Sequence, residues 1–245
     1  MKLALYASLA IRNASVFGGL AGCISRGNKE SFLELFQNKL SAKTKFAVES
    51  DAANSIALSA GCGDGCCLIA GTGSAAFFRK DCVISNIGGW GYLVDDEGSG
   101  CSIGQKVLKA AYRSIDGRGN KTVMAEMVEK KTGRTLRDGL RDVYEGGKVY
   151  IASFAPIAFD AFRLGDKEAE KIIRNAEDEL FLLIKALKSH FEDTVPVISM
   201  CGGMFKEEDI LLEPLRRRCD GEAVLVKPDK APVYGALTRA QGMAE

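Results

Sequence analysis

The residues best suited to chemistry crowd into one stretch, Cys66–Ser102, which reads CCLIAGTGSAAFFRKDCVISNIGGWGYLVDDEGSGCS. Gly71-Thr72-Gly73-Ser74 lies between two apolar runs, Cys66–Ala70 and Ala75–Phe78. That pattern predicts strand, tight glycine turn, strand. Glycines let backbone N–H groups approach an anion closely, and Thr72 and Ser74 add hydroxyl donors. Gly88-Gly89-Trp90-Gly91-Tyr92 follows, holding the single tryptophan, and runs into Asp95-Asp96-Glu97-Gly98-Ser99-Gly100. A flat aromatic face beside carboxylates that accept hydroxyl hydrogen bonds suits a polyhydroxylated ligand. Each piece also has a plain structural reading. The first is an ordinary hairpin turn, Trp90 is a core residue, and Asp96, Glu97 and Ser99 cap and charge a helix. The order and closeness of all three favour a site.

Three other places carry candidate groups. Asp51 falls between a short strand, Lys45–Glu49, and a small-residue helix, AANSIALSAG, closed by Gly61. It reads as an N-cap or as a carboxylate at the mouth of a sheet, where ligands of α/β folds gather. Cys201-Gly202-Gly203-Met204 follows the strand Val195–Met200 and precedes a charged helix, a junction able to take the ribose or phosphate of a nucleotide. Cys62, Cys66 and Cys67 surround Gly63-Asp64-Gly65 but lack the ligand number and spacing of a metal or cluster site. His190, the sole histidine, falls at a helix end, where packing or exposure is its expected role.

The elements that position these groups alternate between strand and helix, which argues an α/β fold. Leu3–Ala14 reads as the end of an apolar helix and Ser15–Phe17 as a strand ending in the glycine loop Gly18–Gly22. Helical spacing recurs over Glu30–Leu40 and Ile103–Ile115, and in a pair, Lys121–Lys131 and Arg134–Tyr144, split at Gly133. Ile151–Leu164 is apolar almost all round and reads as a buried helix. The longest helix, Asp166–Ser189, carries a stripe of Ile172, Ile173, Ala176, Leu180, Leu183, Ile184 and Leu187. Ala223–Val226 is a further strand, and Val233–Ala240 a last small-residue helix.

With 245 residues the chain can bury a real core as one or two domains. Lys and Arg number 33 against 32 Asp and Glu, scattered along the chain, so neither a nucleic-acid footprint nor a polybasic membrane patch is present. Eight cysteines in a chain of this length suit a reduced, cytoplasmic setting better than a disulfide scaffold. The opening MKLALYASLAIRNAS has the look of a short signal peptide, but Arg12 interrupts it and no clean cleavage site follows. No apolar run is long enough to span a bilayer.

Together these motifs resemble the BadF/BadG/BcrA/BcrD-type ATPase family, and within it the N-acetylglucosamine kinases, of the sugar kinase and actin superfamily. GLAG at Gly19–Gly22, the helix from Asp51, GTGS at Gly71–Ser74, GGWG at Gly88–Gly91, DEGS at Asp96–Ser99, DGRG at Asp116–Gly119, the Gly202-Gly203 turn and Pro232–Ala236 fall in the family's order. The resemblance implies an actin-like ATPase fold: two ribonuclease-H-like lobes, with ATP, Mg²⁺ and an amino sugar meeting in the cleft between them. Residues 1–60 match a partial N-terminal lobe, completed by the C-terminal helix 233–245, and 61–232 match the C-terminal lobe. On this resemblance Asp51 is the catalytic carboxylate, taking the proton of the attacking sugar hydroxyl. Thr72, Gly73, Trp90, Gly91 and Asp96 match sugar-contacting positions. Gly71, Thr72, Gly73 and Ser74 would hold ATP phosphates, and Gly202 and Gly203 the adenosine side. No protein metal ligand is assigned.

Two departures stand out. Full-length relatives begin with a hairpin bearing an Asp-Gly-Gly-Gly-Thr-Lys loop that cradles phosphate and helps hold Mg²⁺, and no such sequence occurs here. Its lack implies an incomplete N-terminal lobe, an exposed sheet edge and weakened electrostatic stabilisation; a homodimer or strand exchange would complete the lobe. Asp95 stands where relatives commonly carry glycine, an extra carboxylate next to Asp96 that would raise the pKa of one of the pair or alter sugar preference. The expected function is therefore an ATP-dependent amino-sugar kinase. The alternatives are a sugar- or nucleotide-binding protein without turnover, and an ATPase activator of a dehydratase, whose dimers share an iron–sulfur cluster.

Overall fold

The computed structural model describes residues 15–20, 23, 28–37, 39–40, 44–191 and 194–244. The helix expected over Leu3–Ala14, and the Ala21-Gly22 end of GLAG, lie outside these residues. In chain order the elements are β1 (Ser15–Leu20), α1 (Asn28–Gln37), β2 (Lys45–Ser50), α2 (Ala52–Ala60), β3 (Gly65–Ala70), β4 (Ser74–Lys80) and β5 (Val83–Gly88). Then come α3 (Gly100–Ile115), α4 (Met124–Thr132), α5 (Leu136–Ala152), α6 (Ala155–Arg163), α7 (Lys167–Lys188), β6 (Val197–Cys201), α8 (Glu213–Arg218), β7 (Val224–Val226) and α9 (Pro232–Gly242).

The chain forms two compact units, one of the described residues up to Gly63 with those from Lys230 onward, the other of Asp64–Asp229. In the smaller unit β1 and β2 pair in parallel, Ser15 opposite Lys45 and Leu20 opposite Ser50. The strand predicted to stop at Phe17 runs on through Gly18 and Gly19, because β2 supplies partners along its whole length. α9 packs on α2 and β1. Arg239 ties it down, bonding Glu49 at 2.7 Å and lying over the Phe17 ring at 5.2 Å.

The larger unit holds a five-stranded sheet in the order β5-β4-β3-β6-β7. β3 pairs antiparallel with β4 and parallel with β6. Registration places Cys66 level with Phe78 and Ile198, and Leu68 level with Ala76 and Met200. Alternate side chains point to one face, so these residues form one apolar wall, and all belong to or pack against the main core. α7 lies across β3, β4 and β5 and buries Ile172, Ile173, Ala176, Leu180, Ile184 and Leu187, the 3.6-residue stripe seen in the sequence. Its N-cap is Asp166, whose carboxylate accepts from the N–H groups of Glu168 and Ala169 at 2.9 and 3.0 Å. It also pins the α4 entrance, accepting from Thr122 Oγ1 at 2.8 Å and Val123 N–H at 2.9 Å.

Three further elements differ from the sequence reading. β5 had no assignment. α5 runs past Tyr144 to Ala152 with one non-helical residue, Gly147 (φ 58°, ψ −156°), and the buried helix begins only at Ala155. After β6 the charged helix is preceded by a 3₁₀ turn, Gly203–Lys206, and a π-helical turn, Glu208–Leu212.

Candidate active site

β3 and β6 are parallel with Ile69 opposite Cys201, so Gly71 and Gly202 leave the sheet at the same end. The hairpin between β3 and β4 closes with Ala70 opposite Ser74, and Gly71 N–H donates to the Gly73 carbonyl at 2.8 Å. The start of α3 then grips this turn. Gly100 N–H donates to the Gly71 carbonyl at 2.8 Å and Cys101 N–H to the Thr72 carbonyl at 3.2 Å. The remaining donors of that helix end are also satisfied: Ser99 N–H meets the Asp96 carbonyl at 3.2 Å and Ser102 N–H meets Ser99 Oγ at 3.2 Å. A helix leaves four N–H groups without intrahelical partners, and here two are occupied by the glycine turn and two by the segment Asp96–Ser99. The N-terminus of α3 is therefore a buttress and not itself an anion site.

The buttress has a directional effect. In a trans peptide the carbonyl and the following N–H point opposite ways, and no described peptide is cis. Holding the carbonyls of Gly71 and Thr72 against α3 aims the N–H groups of Thr72 and Gly73 away from it. Neither N–H has a partner among the described residues. Two adjacent, fixed, unpartnered N–H groups are what an anionic oxygen requires. A Cβ on Gly71 would meet nothing within 4 Å, so the turn is open on that side. On the other it is closed, because a Cβ on Gly73 would lie 2.6 Å from Lys148 Nζ and 2.8 Å from Asp96 Oδ2.

Those two groups form an ion pair at 2.6 Å. Asp96 is buried and takes the left-handed φ of 63°, uncommon for a residue with a side chain but tolerated best by Asn, Asp and His. The neighbouring acidic residue faces elsewhere. Glu97 bonds Ser102 Oγ at 2.5 Å and pairs with Lys106. Burial pushes the Glu97 carboxyl up, but the hydrogen bonds from Lys106 and Ser102 and the Lys106 and Lys109 charges outweigh it and hold it below its usual range. Ser74 Oγ donates to the Glu97 carbonyl at 2.6 Å, tying turn and loop together. Ser99 thus caps α3, while Asp96 faces the glycine turn.

The second junction meets the first. Gly202 has φ 108° and ψ 167°, and a Cβ there would collide with the Ala70 carbonyl; only glycine fits. A Cβ on Gly203 would meet nothing within 4 Å. Met204, next in the chain, comes to Gly100: a Cβ on Gly100 would sit 3.5 Å from Met204 Sδ and 3.0 Å from the Gly71 carbonyl. The open backbones at Gly71 and Gly203, with the Thr72 and Gly73 N–H pair, fit a nucleotide phosphate and its attached sugar.

Trp90 is not a core residue; it is 75% exposed, on a loop with Gly91. Asp95 accepts from the Trp90 N–H at 3.1 Å, so this extra carboxylate holds the loop that presents the ring. Asp51 belongs to the smaller unit. It is exposed at the start of α2 but makes no side-chain cap. Ser50 does that work, its Oγ accepting from Ala52 N–H at 3.3 Å and donating to Asp51 Oδ1 at 3.2 Å. Cys66 and Cys67 lie buried in β3, and burial pushes the Cys66 thiol up to about 12, a protonated core residue. His190 stacks on Phe78 with ring centroids 4.1 Å apart, the helix-end packing expected for it.

Lys148 has no assignment in the sequence reading. Its signal was Gly146-Gly147, a glycine pair within an otherwise helical run.

Comparison with known proteins gives the family and the fold. The model of the BadF/BadG/BcrA/BcrD ATPase family matches residues 15–240. An N-acetylmuramic acid/N-acetylglucosamine kinase from Clostridium acetobutylicum is 32% identical over 207 residues, covering 81% of this chain and 67% of the relative. An N-acetyl-D-glucosamine kinase from Dictyostelium discoideum is 27% identical over 216 residues, covering 83% and 67%. In fold the chain is similar to a crystal structure from Chromobacterium violaceum, provisionally named an N-acetylglucosamine kinase, with TM-score 0.72 and 24% identity over 92% of this chain and 75% of that one. A glucokinase of the ROK family from Streptomyces griseus, solved with glucose and AMPPNP, gives TM-score 0.50 at 15% identity, covering 82% and 68%. The fold is that of the actin-like sugar kinases, and the chain belongs to the BadF/BadG/BcrA/BcrD ATPase family.

Proposed function

We propose that this chain is an ATP-dependent amino-sugar kinase acting on N-acetylglucosamine or a close relative. The observation that carries the reading is the buttressed Gly71–Ser74 turn: its outward N–H pair fits a phosphate, and on its closed side stands the buried Asp96 carboxylate. Phosphate and hydroxyl binders side by side are the minimum for moving a phosphoryl group to a sugar. The names of the two curated relatives support the acceptor class.

The roles follow from the chemistry of each group. Thr72 and Gly73 N–H groups, with the Thr72 and Ser74 hydroxyls, hold phosphate oxygens and offset negative charge there. Gly202 and Gly203 provide the adenosine side. Asp96 accepts a sugar hydroxyl, Thr72 and Gly73 border the sugar, and Trp90 with Gly91 offers an apolar face to its ring. Asp51 is the general base: the acceptor oxygen forms a bond to the γ-phosphorus, the bond to the ADP oxygen breaks, and the hydroxyl proton passes to the Asp51 carboxylate. Mg²⁺ keeps several waters and enters with the nucleotide phosphates, so it needs at most one or two protein carboxylates. None of the described helices is long and apolar enough to cross a membrane.

The test is a coupled ATP-consumption assay with N-acetylglucosamine and with glucosamine, for the wild-type chain and Asp51→Ala. Sugar-dependent turnover that falls by about 10²-fold or more in the variant is the expected result. Sugar binding by calorimetry without any turnover would make the chain a binding protein instead.

A further inference from the structure

Asp96 is a buried carboxylate, 4% exposed, and such a group needs a charged or hydrogen-bonding partner. Lys148 supplies one, its Nζ 2.6 Å from Oδ2. Bringing the two together takes two unusual backbone conformations. Asp96 itself is left-handed. Immediately before Lys148, Gly147 breaks α5 at φ 58° and ψ −156°, a region essentially closed to residues with a side chain. An unbroken helix would advance by its regular 100° or so per residue and send the ammonium elsewhere. Strain of this kind persists where the surroundings enforce it, and it gathers at ligand clamps. The pair also abuts Gly73, where an added Cβ would lie 2.6 Å from Lys148 Nζ and 2.8 Å from Asp96 Oδ2. An ordinary surface ion pair calls for none of this.

We propose that Lys148 is a positioning residue for the acceptor sugar: it holds Asp96 by Oδ2 so that Oδ1 is presented to a sugar hydroxyl. The inference rests on the amino-sugar kinase reading. It assigns Lys148 to the sugar side of the turn and not to the phosphates, because the ammonium is already engaged with the carboxylate.

Calorimetry on the full chain tests it, titrating N-acetylglucosamine and, separately, a non-hydrolysable ATP analogue with Mg²⁺. In Lys148→Met, sugar affinity is expected to fall by about 10- to 100-fold, with analogue affinity unchanged. Lys148→Arg, which also donates to Oδ2, should recover most of the loss. Where Lys148→Met leaves the Asp96 charge unpaired and fails to fold, the pair Asp96→Asn and Asp96→Asn/Lys148→Met carries the test. With the charge gone, removing Lys148 should cost no further sugar affinity. Unchanged sugar affinity in Lys148→Met overturns this inference alone, as does a further loss in the double variant. Loss confined to the ATP analogue also overturns it and makes Lys148 a phosphate ligand. Failure of the wild type to bind the sugar overturns the kinase reading, and this inference with it.

Discussion

Two glycine turns leave neighbouring parallel strands at the C-terminal end of the same sheet, and they are built in opposite ways. The turn after β3 is held from outside: the first two N–H groups of α3, the Ser74 hydroxyl and the Asp96–Lys148 pair all fix it. The turn after β6 is held by steric necessity, Gly202 lying against the Ala70 carbonyl with Met204 and Phe205 buried beyond it. Polar clamping leaves the first turn's own donors aimed outward and available. Close packing leaves the second rigid, with little to offer a ligand beyond its backbone. A site for two substrates benefits from both kinds, one to bind charge and one to keep its wall in place.

The contrast is breakable. Gly202→Ala should be the most damaging change, costing about 3 kcal/mol or more through a forced left-handed alanine and a backbone collision. Urea unfolding would read it, and a loss below about 1 kcal/mol would mean the second turn yields more easily than its geometry implies. Gly73→Ala comes next and should act differently. Its new methyl meets the flexible tip of Lys148, so stability falls less, while affinity for an ATP analogue drops by about tenfold. A stability loss equal to that of Gly202→Ala would erase the distinction. Ser99→Ala removes the cap of α3 and should cost about 1 kcal/mol, seen as a lower thermal midpoint. The smallest effect is the pH dependence carried by Glu97. Its carboxyl sits below the usual range in the folded chain, so its contribution is present above about pH 4 and is lost as pH falls through the lower folded value. With 47% of the side chain exposed, solvent screens most of it. Comparing acid unfolding of the wild type and Glu97→Gln isolates the difference, which should vanish in high salt.

The first turn was readable in the sequence because both devices that define it are local. Apolar runs of strand length flank Gly71–Ser74, and Asp96–Ser99 stands directly before a helical pattern. α7 was readable for the same reason, a long stripe at one period. For Lys148 the sequence offers only the neighbouring Gly146-Gly147 pair, which marks a break but not a partner. Lys148 stands 52 residues from Asp96 in the chain, and only tertiary folding, through a break in α5, brings them together. Trp90 taken alone reads as a core aromatic, but the loop glycines and the Asp95 bond turn it outward. β1 was cut short because glycine weakens a strand on propensity alone, and the pairing with β2 overrides that.

The backbone at Asp96 also limits how this protein can change by mutation. A residue at φ 63° has few tolerable replacements, chiefly Asn, with Gly as the fallback. Lengthening the acid to Glu would move the carboxylate and place a less suitable residue in the left-handed region. Asn alone keeps shape and backbone while removing the charge. The charge of this contact can therefore be removed in a single substitution, Asp96→Asn, without rebuilding the loop that carries it.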